Sequence, residues 1–269
     1  MIKNIAAACF VPAAAIEAAG CGAGRQGATI MSQTTADLGA PGTGAGRLVA
    51  GKGAAMRDGK PIETARRRVI IAITGASGSI YGVRLLRMLK DVPEVETHAV
   101  ISKAGGLTLA AECDLAPGQL AKLADEVHAV GNLGAAVSSG SFRIHGMIIA
   151  PCSIKTASNI ATGNTGDLIS RAADVVLKER RRLVVAIRET PLHLGHIETL
   201  AQLARLGAII FPPVPSFYHR PQQVAEIVDQ SCMRMLDQLD ITLQAAPRWG
   251  EPGGVPAIGG ATGGAALVE

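Results

Sequence analysis

Aromatic residues are scarce in this chain of 269 residues, where four Phe, two Tyr and one Trp amount to 3%. So few rings argue against a platform on which nucleic-acid bases stack. The net charge of +4 is too small to indicate a polyanionic partner. The five cysteines are odd in number and irregularly spaced, with no CxxC pair and no Cys/His cluster, so they predict neither a disulfide framework nor a zinc site. No apolar run reaches the about 18–20 residues of a membrane span, and we expect a cytoplasmic protein.

What the chain does contain is unevenly distributed. Its apolar content of 48% excludes a generally disordered chain. Residues 1–66, however, hold 11 glycines and 17 alanines, and their seven basic against four acidic residues carry +3 of the total charge. We predict a disordered leader over residues 1–66, one folded domain over 67–244 and a mostly flexible tail over 245–269. We interpret the leader as a dispensable extension, or as an over-extended translation start with Met31 or Met56 as the true one, rather than as a lipoprotein-like signal ending in AAGC.

The folded part alternates strand-like and helix-like segments. Short apolar runs such as VIIAIT and LVVAI are typical of strands buried on both faces. Strands are predicted at residues 69–74, 97–101, 147–150, 183–187 and 208–211. Helices are predicted at residues 80–89, 104–113, 155–162, 168–178, 192–206 and 221–239, the last with Pro221 in its first turn. This alternation predicts a doubly wound α/β domain of about 175 residues with a parallel sheet and helices on both faces.

Small, hydroxyl-bearing or charged residues follow the predicted strands, where ligands bind in such sheets. The turn Gly75-Ala76-Ser77 follows the first strand and precedes a helix whose N–H groups are a ready anion site. Ser102, the Pro151–Thr156 loop, Arg188-Glu189 and the loop with Tyr218 follow later strands. Several such turns on one edge favour a phosphate-bearing ligand. Because a hydroxyl, Ser102, rather than an acidic residue follows the second predicted strand, a mononucleotide such as FMN fits better than NAD.

Six motifs in order make the prediction specific: TGASGSIYGVRLL, SSGSF, PCSIKT, RAADVVLKERR, RETPLHLGH and PPVPSFYHRPQ. Together they resemble the UbiX-type flavin prenyltransferases, over about residues 67–249. The resemblance implies a flavodoxin-like fold and a homododecamer. It also implies transfer of a dimethylallyl group from dimethylallyl phosphate to N5 and C6 of reduced FMN. The prenylated FMN would serve UbiD-type decarboxylases, in ubiquinone synthesis or in the decarboxylation of aromatic acids.

The resemblance also implies roles for residues that match the family's motifs. Catalytic roles fall on Ser77, Glu112, Lys178 and Glu189. FMN binding falls on Gly75, Ala76, Ser77, Ser102, Ser153, Ile154, Lys155, Thr156 and Arg188. Binding of dimethylallyl phosphate falls on Arg171, Lys178, Tyr218, Arg234 and Trp249, with some residues contributed across subunit boundaries. Cys113 stands where the family often has Thr, and Gly105-Gly106 replaces bulkier residues, which predicts a looser helix start.

The chemistry of prenyl transfer agrees with these residue types. The leaving phosphate is a dianion that Arg171, Lys178, Arg234 and the Tyr218 hydroxyl are suited to stabilise. The allylic fragment gains cationic character, which the Trp249 ring can stabilise. Glu189 or the phosphate itself would accept the proton leaving C6. A metal is not expected to be required.

Simpler explanations exist for some of these residues, and other functions are possible for the chain. The charges around residues 171–182 could form a solvated helix end, and His193 and His196 are expected to be structural. Cys152 is expected to be a buried core thiol rather than a nucleophile. At the level of function, the alternatives are an FMN-storage subunit and an FMN enzyme resembling phosphopantothenoylcysteine decarboxylase.

Overall fold

A computed structural model describes residues 56–57, 60–61, 66–244, 246–252 and 254–256. All of them belong to one of the two units into which the chain divides, Ala45–Glu269. Most of the predicted leader, and the end of the predicted tail, lie outside the described residues. Within the leader range, β1 (Met56–Arg57) and β2 (Lys60–Pro61) pair antiparallel. The next strand begins at Arg67, the first residue of the predicted domain.

The central feature is a six-stranded sheet in which every neighbouring pair is parallel. Its strands are β3 (Arg67–Ile73), β4 (Val95–Ile101), β5 (Glu126–Ala129), β6 (Gly146–Cys152), β7 (Arg182–Ile187) and β8 (Ile209–Ile210). Their spatial order is β5-β4-β3-β6-β7-β8. The chain therefore winds outward in one direction from β3 and in the other from β6, and the predicted doubly wound fold is confirmed.

Helices cover both faces of this sheet. They are α1 (Ser79–Lys90), α2 (Lys103–Cys113), α3 (Ile154–Ala161), α4 (Leu168–Lys178), α5 (Leu194–Arg205) and α6 (Val224–Asp237), with short 3-10 turns at Pro117–Lys122 and Ala136–Ser138. Because successive strand residues point to opposite faces, β3 feeds both cores. Val69, Ile71 and Ile73 pack with α1, α2 and α6, whereas Ile70 and Ala72 pack with α3, α4 and α5.

Two predicted helix starts were too early. Helix α6 begins at Val224, so Pro221 is not in its first turn. The chain turns at Arg220, whose φ of 51° is incompatible with a helix, and the Gln222 N–H donates to the Glu226 carboxylate ahead of α6. Helix α5 begins at Leu194, because His193 has extended backbone and its ring accepts a hydrogen bond from the His196 N–H.

Strand β5 was not predicted. It has four residues, of which only His128 is buried, so its sequence carries no apolar run. Its position beside β4 comes from pairing rather than from pattern. None of the helices among the described residues is long and apolar enough to cross a membrane.

Candidate active site

The loops after β3 and β6 meet where the strand order reverses. In open α/β sheets this switch point is where ligands bind. Thr74 joins the two loops from below: its buried hydroxyl donates to the Pro151 carbonyl over 2.8 Å and accepts from the Ser153 N–H over 2.8 Å. The floor of the site is thus a satisfied polar bridge between two strand ends.

Two adjoining pockets open above this floor, and Gly75 and Ser153 line both of them. The smaller, about 290 Å³, is lined by Gly75, Ala76, Ser77, Ser153, Arg188, Glu189 and Thr190. The larger, about 510 Å³, is lined by Gly75, Ser102, Lys103, Ala104, Val130, Gly131, Ser153, Lys155, Thr156, Asn159, Gly166 and Asp167. Eight of the nine predicted FMN residues line these pockets. The exception, Ile154, packs against the core on the α3 side of the sheet.

Helix starts face the larger pocket. Ser102 caps α2 by accepting a hydrogen bond from the Gly105 N–H, and Ser153 caps α3 by accepting one from the Thr156 N–H. Both helices therefore direct the positive end of their dipoles toward this space, which together with Lys155 favours an anionic group. A pocket of this volume suits a small-molecule cofactor.

Close backbone packing holds the β3 loop against α2. A Cβ on Gly75 would lie 2.4 Å from the Cβ of Ala104, and one on Gly105 would lie 2.6 Å from the Ile73 carbonyl oxygen. The Ser102 N–H also donates to that carbonyl. The start of α2 at Gly105 is therefore tightly packed and capped, contrary to the looser start expected from the glycines.

Glu112 occupies the start of α1. Its Oε2 accepts hydrogen bonds from the N–H groups of Gly78 and Ser79, over 2.8 and 2.9 Å. The sequence indicated an anion site at this helix start, and in the structure the anion bound there is the protein's own Glu112 carboxylate. Through the Gly78 N–H, the Glu112 carboxylate is held one residue beyond Ser77, which lines the smaller pocket.

Arg188 and Glu189 follow β7 at the other side of this pocket. The Arg188 N–H donates to the Cys152 carbonyl and its Nε donates to the Ser77 carbonyl over 3.1 Å, so Arg188 connects all three strand ends. Glu189 is exposed, and its carboxylate accepts from the Thr190 N–H. Nearby, burial raises the pKa of Tyr81 even though the Arg188 charge opposes that shift.

A second group of residues lies outside the two pockets and consists of Tyr218, Arg234, Asp237 and Trp249. The rings of Tyr218 and Trp249 meet edge to face, with centroids 5.6 Å apart. The Tyr218 hydroxyl accepts from the Gln230 amide over 3.3 Å, and Arg234 Nε lies 3.6 Å from an Asp237 carboxylate oxygen. These predicted donor-binding residues therefore come together around α6.

Arg171 and Lys178 lie on α4 and line neither of the two pockets. Arg171 donates to the Ser138 carbonyl and to Asp174, and Lys178 pairs with Glu179 over 2.5 Å. Lys178 ends α4 just before β7 begins, at the edge opposite the strand ends, about 16 Å along the helix from Asp167. Within one chain the structure does not bring Lys178 to the predicted site.

The expectation that Cys152 is a buried core thiol is confirmed. Cys152 is fully buried, and burial raises the pKa of its thiol far above the ordinary value, which leaves no nucleophilic thiolate at neutral pH. His193 caps α5. The pocket residues that the sequence missed are Lys103, Ala104, Val130, Gly131, Asn159, Gly166, Asp167 and Thr190.

Comparison with known proteins agrees with this geometry. A family model described as Flavoprotein matches residues 60–237. The chain is 54% identical over 177 residues to the flavin prenyltransferase UbiX of Escherichia coli strain K12, which covers 66% of this chain and 94% of that one. A crystal structure of AnUbiX (PadA1) with FMN and dimethylallyl pyrophosphate superposes with a TM-score of 0.67 at 48% identity, over 68% of this chain and 97% of that chain. A dodecameric FMN-dependent UbiX-like decarboxylase from Escherichia coli O157:H7 superposes with a TM-score of 0.66 at 44% identity, over 68% and 98%.

Proposed function

Because this chain belongs to the UbiX-type flavin prenyltransferases, we propose that it joins a dimethylallyl group from dimethylallyl phosphate to N5 and C6 of reduced FMN. It is a prenyltransferase, and its product is prenylated FMN. The observation that carries the proposal is the pair of adjoining pockets at the switch point, lined by the loops of the family's motifs. Reduced FMN supplies the nucleophilic nitrogen and carbon of the reaction.

The larger pocket is the proposed FMN-binding site. Its lining has the groups that a phosphate-bearing ligand needs: the capped starts of α2 and α3, the Lys155 ammonium and the Thr156 hydroxyl. Ser102 and Ser153 hold these helix starts in place, and Gly75 and Ala76 allow close approach at the β3 side. Arg188, bound to the Ser77 carbonyl, closes the smaller pocket.

The prenyl donor is proposed to bind between these two pockets and the group of residues around α6. Arg234 and the Tyr218 hydroxyl would hold the donor's phosphate, and the exposed face of Trp249 would lie against its allylic part. Lys178 is on the far edge of the same chain, and Arg171 lines neither pocket, so we propose that both reach the phosphate of a neighbouring subunit. A homododecamer, the assembly of the solved UbiX-like relative, would bring them there.

The catalytic roles are assigned to groups at the rim of the smaller pocket. Ser77 is positioned by the Arg188 hydrogen bond to its carbonyl, with Glu112 immediately behind it. Glu189 is exposed toward the pocket and carries the carboxylate proposed to accept the proton released from C6, directly or through the leaving phosphate. Lys178 of the neighbouring subunit would stabilise the phosphate as it leaves.

We propose a cytoplasmic enzyme that passes prenylated FMN to a UbiD-type decarboxylase. The test of function is anaerobic incubation of the protein with reduced FMN and dimethylallyl phosphate, followed by mass spectrometry of the flavin. A product heavier by one prenyl unit is expected. Unchanged flavin that stays bound would instead identify an FMN-storage protein.

A further inference from the structure

Two histidines and a glutamate converge on the α3 side of the sheet, away from the residues assigned to prenyl transfer. His98 lies on β4, and Glu126 and His128 lie on β5, where the strand register pairs His98 with Glu126 and Val100 with His128. Residues two apart on a strand share a face, so the three side chains point the same way. One ligand atom from each lies within 4.8 Å of the others.

His98 Nδ1 is the central atom of this cluster. It lies 3.0 Å from His128 Nε2 and 3.3 Å from Glu126 Oε2. Two ligands bound tetrahedrally to one zinc ion are about 3.3 Å apart. The two imidazole rings are almost parallel, at 4° to each other, and His98 is wholly buried.

The Glu96 carboxylate orients the His98 ring. Its other ring nitrogen, Nε2, lies 3.0 Å from the Glu96 carboxylate, which Arg68 also contacts. A carboxylate that accepts the Nε2–H leaves Nδ1 unprotonated, with its lone pair toward His128 and Glu126. Carboxylate–histidine pairs of this kind orient the histidine ligands of metal sites. The guanidinium of Arg68 lies over Phe142, whose ring edge packs against His98 and holds it from the other side.

We propose that His98, His128 and Glu126 form a binding site for a divalent transition-metal ion of the zinc class. A ligand set of two imidazoles and one carboxylate binds zinc in preference to calcium or magnesium. The ion takes the place of the hydrogen between the two imidazoles, and that proton moves to Nδ1 of the His128 ring, 3.8 Å from Glu126 Oε1. The Glu126 carboxylate is half exposed to solvent, so the ion can enter from solvent and a fourth position is left for water. The proposal is independent of the proposed prenyl transfer, in which this ion takes no part.

The consequence of such an ion is local. It would link β4 to the short edge strand β5, two residues before Val130 and Gly131 enter the wall of the larger pocket. Ser102 enters the same wall directly after β4. Binding of the ion is therefore expected to raise the thermal midpoint of unfolding of the full chain, because it binds only the paired strands.

The test is a calorimetric titration of the metal-stripped, full-length protein with zinc chloride. One ion per chain is expected. Glu126→Gln removes the charged ligand from an exposed position that tolerates it, and an affinity loss of about tenfold or more is expected. Glu96→Gln should cost about 10–100-fold by releasing His98. The matched control is His193→Gln, which changes the exposed His193–His196 pair instead and should leave the affinity unchanged.

X-ray absorption spectroscopy at the zinc K-edge identifies the zinc ligands independently of protein stability. Nitrogen and oxygen neighbours with two imidazoles are expected for the protein loaded with one equivalent. Any of three results would overturn the proposal: sulfur neighbours of the zinc ion, an unchanged zinc affinity in Glu126→Gln, or a loss of zinc affinity in His193→Gln alone. Absence of any zinc binding by the unmodified chain would show that the cluster is a hydrogen-bonded histidine pair only.

Discussion

Arg248 and Asp237 are joined by two hydrogen bonds, 2.8 and 2.7 Å long, between the guanidinium and the carboxylate. Asp237 ends α6, whereas Arg248 belongs to the segment predicted to be a flexible tail. The side chains of both are only 19% exposed, and the Asp237 carboxylate raises the pKa of Arg248. The bridge holds the neighbouring Trp249 against Tyr218.

Arg248→Met should release Trp249 from its place. Hydrogen bonds to charged groups contribute about 1.5–3 kcal/mol each, so we expect the KM for dimethylallyl phosphate to rise about tenfold or more while FMN affinity is kept. Because Trp249 is the only tryptophan, its fluorescence emission should shift to the red. An unchanged emission spectrum and KM would show that the tail is held by other contacts.

Tyr218→Phe and Arg234→Gln should each weaken the prenyl donor much more than FMN. Both residues lie around α6, outside the two pockets that hold the proposed FMN site. Loss of a charge-assisted hydrogen bond to phosphate predicts about a tenfold or larger rise in donor KM. FMN affinity is measured by flavin fluorescence, and the exposed Arg87→Gln serves as the surface control. An equal loss of FMN and donor binding contradicts the assigned roles.

The substitutions Glu112→Ala and Glu112→Gln distinguish the capping of α1 by Glu112 from its proposed catalytic role. Alanine leaves the Gly78 and Ser79 N–H groups without their acceptor, so we expect about 1–2 kcal/mol of destabilisation, or a Tm lowered by about 2–8 °C. Glutamine keeps a carbonyl acceptor and should restore most of the Tm. If Glu112 has the proposed catalytic role, turnover should remain low in the glutamine variant. Full recovery of turnover with the Tm would leave Glu112 a cap alone.

Asp125 makes stability depend on pH at the start of β5. Burial acts to raise the pKa of its carboxyl, but the hydrogen bonds from Thr97 and the Arg66 side chain outweigh it, and the net shift is downward. The stabilisation is therefore present above the unfolded pKa of about 4 and lost as pH falls through the lower folded value. In urea unfolding at pH 5, the unmodified chain should have a larger free energy of unfolding than Asp125→Asn. This difference should shrink at pH 3. Thr97→Val should flatten the same dependence, and an advantage that grows at pH 3 would contradict the assignment.

Deletion of residues 1–65 should leave prenyl transfer intact. Arg66, which the deletion keeps, anchors the start of β3 through the Pro93 and Val95 carbonyls and Asp125. Turnover of the shortened protein is compared with that of the full chain under the same anaerobic conditions. A loss of activity would show that the predicted leader contributes to the fold or to the assembly.

The central fold was predictable because its strands are buried on both faces. Runs such as the one in β3 leave little alternative to a parallel sheet. Strand β5 was not predictable from the sequence, because only His128 of its four residues is buried. For the same reason the sequence did not reveal the His98–His128 pair: the two residues lie thirty positions apart, and strand pairing alone joins them.

The candidate site was predictable at the level of loops and less so at the level of contacts. Residues directly after strands are placed by topology, which is why Gly75, Ser102 and Ser153 line the pockets. Contacts between distant loops carry no sequence signal, so the Glu112 cap on α1 was not foreseen. Lys178 lines neither pocket of its own chain, and its assigned role remains a prediction.

Both outer strands of the described sheet are short, four residues in β5 and two in β8. Unpaired strand edges are templates on which further chains can add, and short edges suppress that growth. Apart from Val127 on β5, the exposed large apolar side chains of the described residues lie elsewhere, as at Leu194 and Val224 on helices and at Phe217 in a loop. Association between copies would therefore proceed through helices and loops, which favours a closed particle of finite size over an open fibre.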